Sequence, residues 1–152
     1  MGDAAARDCL EATSGPVAIT HTTARARVPL ARLTDDTTAR LLAERDGVIG
    51  IALYNRFLRR DHAKGMAKQL VTLADVVAHI DHFCQLLGSA DHVALGSDFD
   101  GGFGANDIPA EFDSAADWPL LAQALREYGY NSADIAAIFH GNWQRLLRRV
   151  LA

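Results

Sequence analysis

Two cysteines in 152 residues, Cys9 and Cys84, cannot build a disulfide framework, and neither sits in a CxxC pair. A reducing compartment follows as the expectation. Basic charge is also scarce: 15 Lys and Arg stand against 19 Asp and Glu, with no basic run, which removes support for nucleic-acid binding. No apolar run approaches the roughly 18 residues of a membrane span. Residues 1–15 lack the basic and apolar regions of a signal peptide, so a cytoplasmic location is expected. There is no internal repeat, low-complexity stretch or linker. The 152 residues fit one domain, 1–152, but fall short of the roughly 250 residues of a complete eight-stranded α/β barrel.

What is present is a soluble globular composition, 49% apolar and 22% charged, with strands and helices in alternation. Helix-prone residues 3–13 end at Ser14-Gly15-Pro16. PVAITH (16–21) reads as a short buried strand, followed by a loop over 22–33 and a helix over 34–46 capped by Thr34 or Asp35. DGVIGIALYN (46–55) is a second strand, and 56–69 a loop. Leu73, Val76, Val77, Ile80, Phe83, Cys84 and Leu87 form one apolar helical stripe. Thr72 and Asp75 have capping-box spacing, and Gly88 is its stop. HVALGSD (92–98) is the third strand. Helices are predicted over 118–129, 131–140 and 141–151, with Trp118 and Trp143 as core anchors and Arg145, Arg148 and Arg149 complementing the last helix dipole. Strand–helix alternation argues for parallel strands joined by right-handed crossovers.

In such folds reactive groups gather at the carboxyl ends of strands. Those ends carry His21, Tyr54-Asn55, and the Asp98-Phe99-Asp100 of HVALGSDFDGG. Imidazole binds a divalent cation through a neutral nitrogen, and a nearby carboxylate can take a proton from an attacking water. Asp98 and Asp100, two apart, point to one side for as long as the strand persists; if it ends at Asp98, the second acid braces the loop instead. The structural alternatives are a satisfied histidine after a buried strand and a pair of turn-forming acids before Gly-Gly. In HIDH (79–82), His79 and His82 share a helix flank; the expectation is a polar shoulder beside Ile80 and Phe83 rather than a metal site. His62, His92 and His140 receive no chemical role.

HIDHFCQLLGSADHVALGSDFDGG resembles the signature region of the membrane (renal) dipeptidase family of zinc metallopeptidases. ITHTTARARVP, DGVIGIALYNRFL and the tail LAQALREYGYNSADIAAIFHGNWQRLL resemble the same family, in the same order, over nearly all of 14–151. The resemblance implies the C-terminal portion of a (β/α)8 TIM-like barrel, about three parallel strands with flanking helices. It implies hydrolysis of a dipeptide amide bond at two zinc ions that share a bridging water and a bridging carboxylate. By position His21 matches a zinc-ligand histidine, Arg32 an arginine that holds the substrate's terminal carboxylate, and Asp98 an acid that contacts substrate and carries the proton. Arg25 and Arg27 are the alternatives to Arg32. Asp100, Gly101 and Gly102 correspond only in shape.

The family's HxD pair, bridging glutamate and further histidine ligand have no counterpart before His21. A catalytic zinc takes three protein ligands, so turnover by these 152 residues alone is not expected. Three strands leave open edges that invite pairing with another chain. The expected partners are therefore a dipeptide, and either a complementing N-terminal half or a second copy docked at those edges. The competing readings are a catalytically inactive barrel fragment or partner module, and another amidohydrolase-like metal hydrolase.

Overall fold

A computed structural model describes residues 3–99 and 101–152. Asp100 lies outside the described residues. Three strands, β1 (Ala18–Thr22), β2 (Val48–Ile51) and β3 (Val93–Leu95), form a parallel sheet in the order β1-β2-β3. Among the described residues seven α-helices flank it: α1 (Asp3–Ala12), α2 (Asp36–Glu44), α3 (Asn55–Leu58), α4 (Leu73–Leu87), α5 (Trp118–Tyr128), α6 (Ser132–Ala136) and α7 (Asn142–Leu151). No helix among the described residues is long and apolar enough to cross a membrane.

The strands are shorter than the apolar runs that predict them. Beyond Ile51 and Leu95 pairing continues as single bonds, Gly96 N–H to Ile51 O (3.0 Å), Ala52 N–H to Thr22 O (2.9 Å) and Leu53 N–H to Ser97 O (3.2 Å), toward the strand-end loops. The stretch 56–69 is not plain loop: α3 occupies its start and a 3-10 turn, Lys68–Leu70, its end. The last two helices are continuous, because one wide π-type turn, Ala137–Gly141, joins α6 to α7. Arg145 and Arg149 do more than complement a dipole; both reach the Asp46 carboxylate before β2.

The pleat sorts the sheet into two faces. Ile49, Ile51 and Val93 share a cluster with Ala39 and Leu42 of α2, Val76, Ile80 and Phe83 of α4, and Leu121 and Leu125 of α5. Val48 and Ala94 turn the other way, onto Trp143 and Leu146 of α7. Trp143 also donates to Leu95 O at 2.8 Å, so this anchor spans the sheet's inner face. The α4 capping box of Thr72 and Asp75 forms, and Gly88 stops the helix in the left-handed conformation at φ 74°. Cys84 belongs to the core, and burial pushes its thiol up to about 11. Cys9 is a free, exposed thiol.

Two glycines decide how β1 lies on its neighbours. The register of β1 against β2 slips between Ile19 and Thr22, and the bulge swings the Thr20 carbonyl over the sheet. A Cβ at Gly50 or at Gly96 would run into that oxygen. The small inner face is therefore a packing requirement and not a run of chance glycines.

His79 corrects the expected polar shoulder. It is fully buried, with Nδ1 accepting from the Ala24 N–H at 3.1 Å and Nε2–H donating to Leu58 O at 3.0 Å. That pair of partners needs the neutral ring, and burial lowers its pKa from 6.5 to about 4. The shoulder consists only of His82, 2.7 Å from Asp36 Oδ1, and Asp81, which accepts from Tyr128 and Tyr130 at 3.0 Å each. The helix periodicity could not separate these histidines, since His79 owes its burial to α3 and the loop after β1.

Two predictions follow from these contacts. The unfolded chain protonates His79 near 6.5 and the folded chain only near 4, so this group's stabilisation is complete above 6.5 and is lost as pH falls toward 4, by about 3 kcal/mol. Denaturant titrations across that interval should show the loss in the native chain, and His79→Gln should reduce the slope. Equal slopes would refute the assignment. Gly96→Ala should destabilise by roughly 2–4 kcal/mol because backbone, not a side-chain tip, meets the added methyl; a change below about 0.5 kcal/mol would contradict the packing described.

Candidate active site at the strand ends

His21 lies within the β1 bulge, which turns its side chain toward the end of β3. Its Nδ1 is 2.7 Å from Thr20 Oγ1, leaving Nε2 for the opposite side. The segment is pinned from beneath: Thr22 Oγ1 accepts from the Thr34 N–H at 3.1 Å, and Thr23 Oγ1 donates to Phe57 O at 2.6 Å.

Asp98 is aimed by a turn, not by the pleat. β3 ends at Leu95, and Asp98 adopts a left-handed backbone at φ 62°, with its carbonyl accepting from Gly101 N–H at 2.8 Å. The alternation argument for Asp98 and Asp100 therefore does not operate, since the strand has ended three residues earlier. Its carboxylate folds back over Gly101, where a Cβ would collide with it. The result places Asp98 Oδ1 3.8 Å from His21 Nε2, with both side chains partly open to solvent.

Arg32 completes the group. Its Nη2 donates to His21 O at 3.4 Å, and its guanidinium lies 4.3 Å from the ring centre of Phe57. Phe57 is buried and meets Tyr54 edge-on at 4.8 Å; Tyr54 in turn stacks on Phe103 at 4.7 Å. Tyr54 thus links the glycine-rich loop to the platform under Arg32. Asn55, the other residue at the end of β2, is buried and donates to Ile108 O at 3.0 Å, a structural bond. Arg25 spends its guanidinium on Leu30 O (3.2 Å), Ala31 O (2.7 Å) and Leu33 O, shaping the loop that presents Arg32.

His21, Arg32, Thr34, Thr38 and Asp98 line one cavity of about 390 Å³, closed on one side by Ala6 of α1. Neither Arg25 nor Arg27 lines it. An imidazole, a carboxylate and a guanidinium around such a space can hold an anionic substrate end and move one proton. They do not form a complete metal centre: no group of three or more His, Cys, Asp or Glu side chains converges among the described residues. Thr20 and Phe57 escaped sequence reasoning, and Gly101 was expected only as a match of shape. GSDFDGG hinted at Gly101, but nothing in the sequence pairs Phe57 with Arg32.

Three parallel strands with flanking helices and chemistry at their carboxyl ends are part of a (β/α)-barrel wall. The family model described as membrane dipeptidase (peptidase family M19) matches residues 1–152, and the chain belongs to that family. It is 35% identical over 150 residues to an uncharacterized protein in the pqqA 5′ region of Klebsiella pneumoniae, covering 99% of this chain and 52% of that protein. A crystal structure of an M19 dipeptidase described as a metallo peptidase superposes with a TM-score of 0.85 at 31% identity, over 97% of this chain and 41% of that one. A metallo peptidase from Rhodobacter sphaeroides, liganded with a phosphinate mimic of the dipeptide L-Ala-D-Ala, superposes with a TM-score of 0.82 at 31% identity, over 97% and 40%. The chain thus spans about half, or less, of the length of these relatives.

Gly101→Ala tests the aiming of Asp98. The obstructing atoms are the end of a side chain, so the fold should lose no more than about 1 kcal/mol while the carboxylate swings away. A crystal structure of the variant should show the His21–Asp98 separation opened well beyond 3.8 Å. An unchanged separation would show that Gly101 has no part in it.

Proposed function

We propose that residues 1–152 carry the arginine, acid and one-histidine portion of a zinc-dependent dipeptidase active site. The carrying observation is the convergence of His21, Asp98 and Arg32 on one cavity, with Nε2 and Oδ1 3.8 Å apart. In this reading Arg32 pairs its fork with the terminal carboxylate of the dipeptide, held flat by Phe57. Water attacks the amide carbonyl carbon, and the Asp98 carboxylate takes the proton released. Asp98 then returns that proton to the amine nitrogen as the C–N bond breaks. His21 offers one imidazole nitrogen to zinc.

Among the described residues one imidazole beside one carboxylate falls short of three protein ligands, so in this reading the remaining donors come from a further polypeptide segment. Among the described residues β1 and β3 each pair only with β2, and their outer edges suit added strands from a complementing barrel half or a second copy. The substrate is a dipeptide and not a nucleic acid, and two free cysteines favour a cytoplasmic setting. The lack of a complete ligand group among the described residues also favours a second reading, a non-catalytic partner module acting within one barrel domain.

Elemental analysis after zinc loading, with hydrolysis of L-Ala-D-Ala, separates the two. The expected result is little bound zinc and no turnover for these residues alone, with both gained on adding the missing half of an M19 relative. Zinc uptake by the complemented protein without hydrolysis of any dipeptide would leave the module reading standing. In the complemented enzyme, His21→Ala and Asp98→Asn should each lower kcat/KM by about a thousandfold or more. Arg32→Lys should chiefly raise KM, by about tenfold, because lysine cannot make the paired contact. Near-native turnover of either of the first two variants would remove that residue from the mechanism.

A further inference from the structure

A second cavity, of about 280 Å³, opens between the loop after β1 and the turn after α3. It shares no lining residue with the His21–Asp98 cavity. One wall is apolar, from Val28, Pro29 and Leu30; the other carries Arg56, Arg59, Arg60, Asp61 and His62. Three guanidinium groups against one carboxylate leave a formal charge of +2 on the lining. Arg59 makes a 3.5 Å ion pair with Asp75, while Arg56 and Arg60 have no ion-pair partner among the described residues.

His62 supplies an independent indication. It is only 7% exposed, and neither Nδ1 nor Nε2 has a hydrogen-bond partner among the described residues. Whichever tautomer it adopts, a neutral imidazole holds one N–H donor and one lone pair. Leaving a buried donor unmet costs about 1–3 kcal/mol, a penalty that an anionic acceptor drawn in by the arginines would relieve. The turn that seats it is fixed, since His62 N–H donates to Arg59 O at 3.3 Å and Asp61 holds a left-handed backbone at φ 66°.

We propose that this cavity binds a dianionic phosphate group, with Arg56 and Arg60 as its charged contacts and His62 as a buried hydrogen-bond donor. A guanidinium pair matches two phosphate oxygens; with Arg59 held by Asp75, Arg56 and Arg60 are the two cationic groups left to meet them, and Asp61 is the one carboxylate on the lining. Val28, Pro29 and Leu30 offer room for a small apolar substituent, so the group is that of a phosphate monoester or of inorganic phosphate.

The test needs no enzymatic turnover. The full chain, with imidazole carbons labelled, is titrated with inorganic phosphate and, separately, phenyl phosphate, at ionic strength held constant with chloride. The His62 ring signals should move in a saturable manner while those of His79 stay in place. In the Arg56→Ala/Arg60→Ala double variant, which alters exposed side chains, the midpoint should rise about tenfold or more, with unchanged His79 signals showing an intact fold. A lower midpoint for phenyl phosphate supports a monoester, and equal midpoints support inorganic phosphate. Unmoved His62 signals, an equal response to chloride, or the same midpoint in the double variant would overturn the proposal.

Discussion

The arrangement rests on one close approach: the Thr20 carbonyl lies over Gly50 and Gly96, where no side chain could stand. A bulge bends a strand and re-aims one side chain, and here the re-aimed residue is His21. Had either glycine carried a methyl, β1 could not settle this deeply against β2 and the end of β3. His21 would then be held away from Asp98. The 3.8 Å separation is thus a consequence of backbone packing on the inner face of the sheet, rather than of attraction between two partly solvated groups.

Around that approach the loops are held by buried polar bonds. His79 joins the loop after β1 to α3 by one accepted and one donated bond, and Thr23 ties the same loop to Phe57. These contacts seat the two segments on which Arg32 and its aromatic platform depend. Asp98 is positioned differently, by a left-handed turn whose next tight position is a glycine. The three cavity residues are therefore oriented by three separate devices: a bulge, a clamped loop and a turn. The family membership gives this geometry its chemical meaning, although the chain covers only part of its relatives' length.

Much of the architecture was legible because it is local. The α4 stripe, its Thr72–Asp75 box and the Gly88 stop depend on helical spacing and backbone conformation, which neighbouring residues control. Three parallel strands followed from alternation with helices. Strand lengths were overestimated because apolar runs continue into the strand-end loops, where the Leu53 side chain remains buried without a ladder around it. The two histidines of HIDH were read alike because a helix flank is all that spacing reveals. Their environments differ because α3 and the loop after β1 cover one, and Asp36 meets the other.

The amino-acid sequence by itself determined the order of elements, the apolar faces and the presence of His21 and Asp98 near strand ends, since these depend on periodicity and on residue type; Arg32 was marked only by the family resemblance. The tertiary structure alone decided that a carbonyl would rest on two distant glycines, that Phe57 would lie beneath Arg32, and that His79 and His62 would be enclosed in opposite ways, one with both partners and one with none among the described residues. The physical reason is that close approach and burial are properties of segments far apart in the chain, and no local pattern encodes the distance between them.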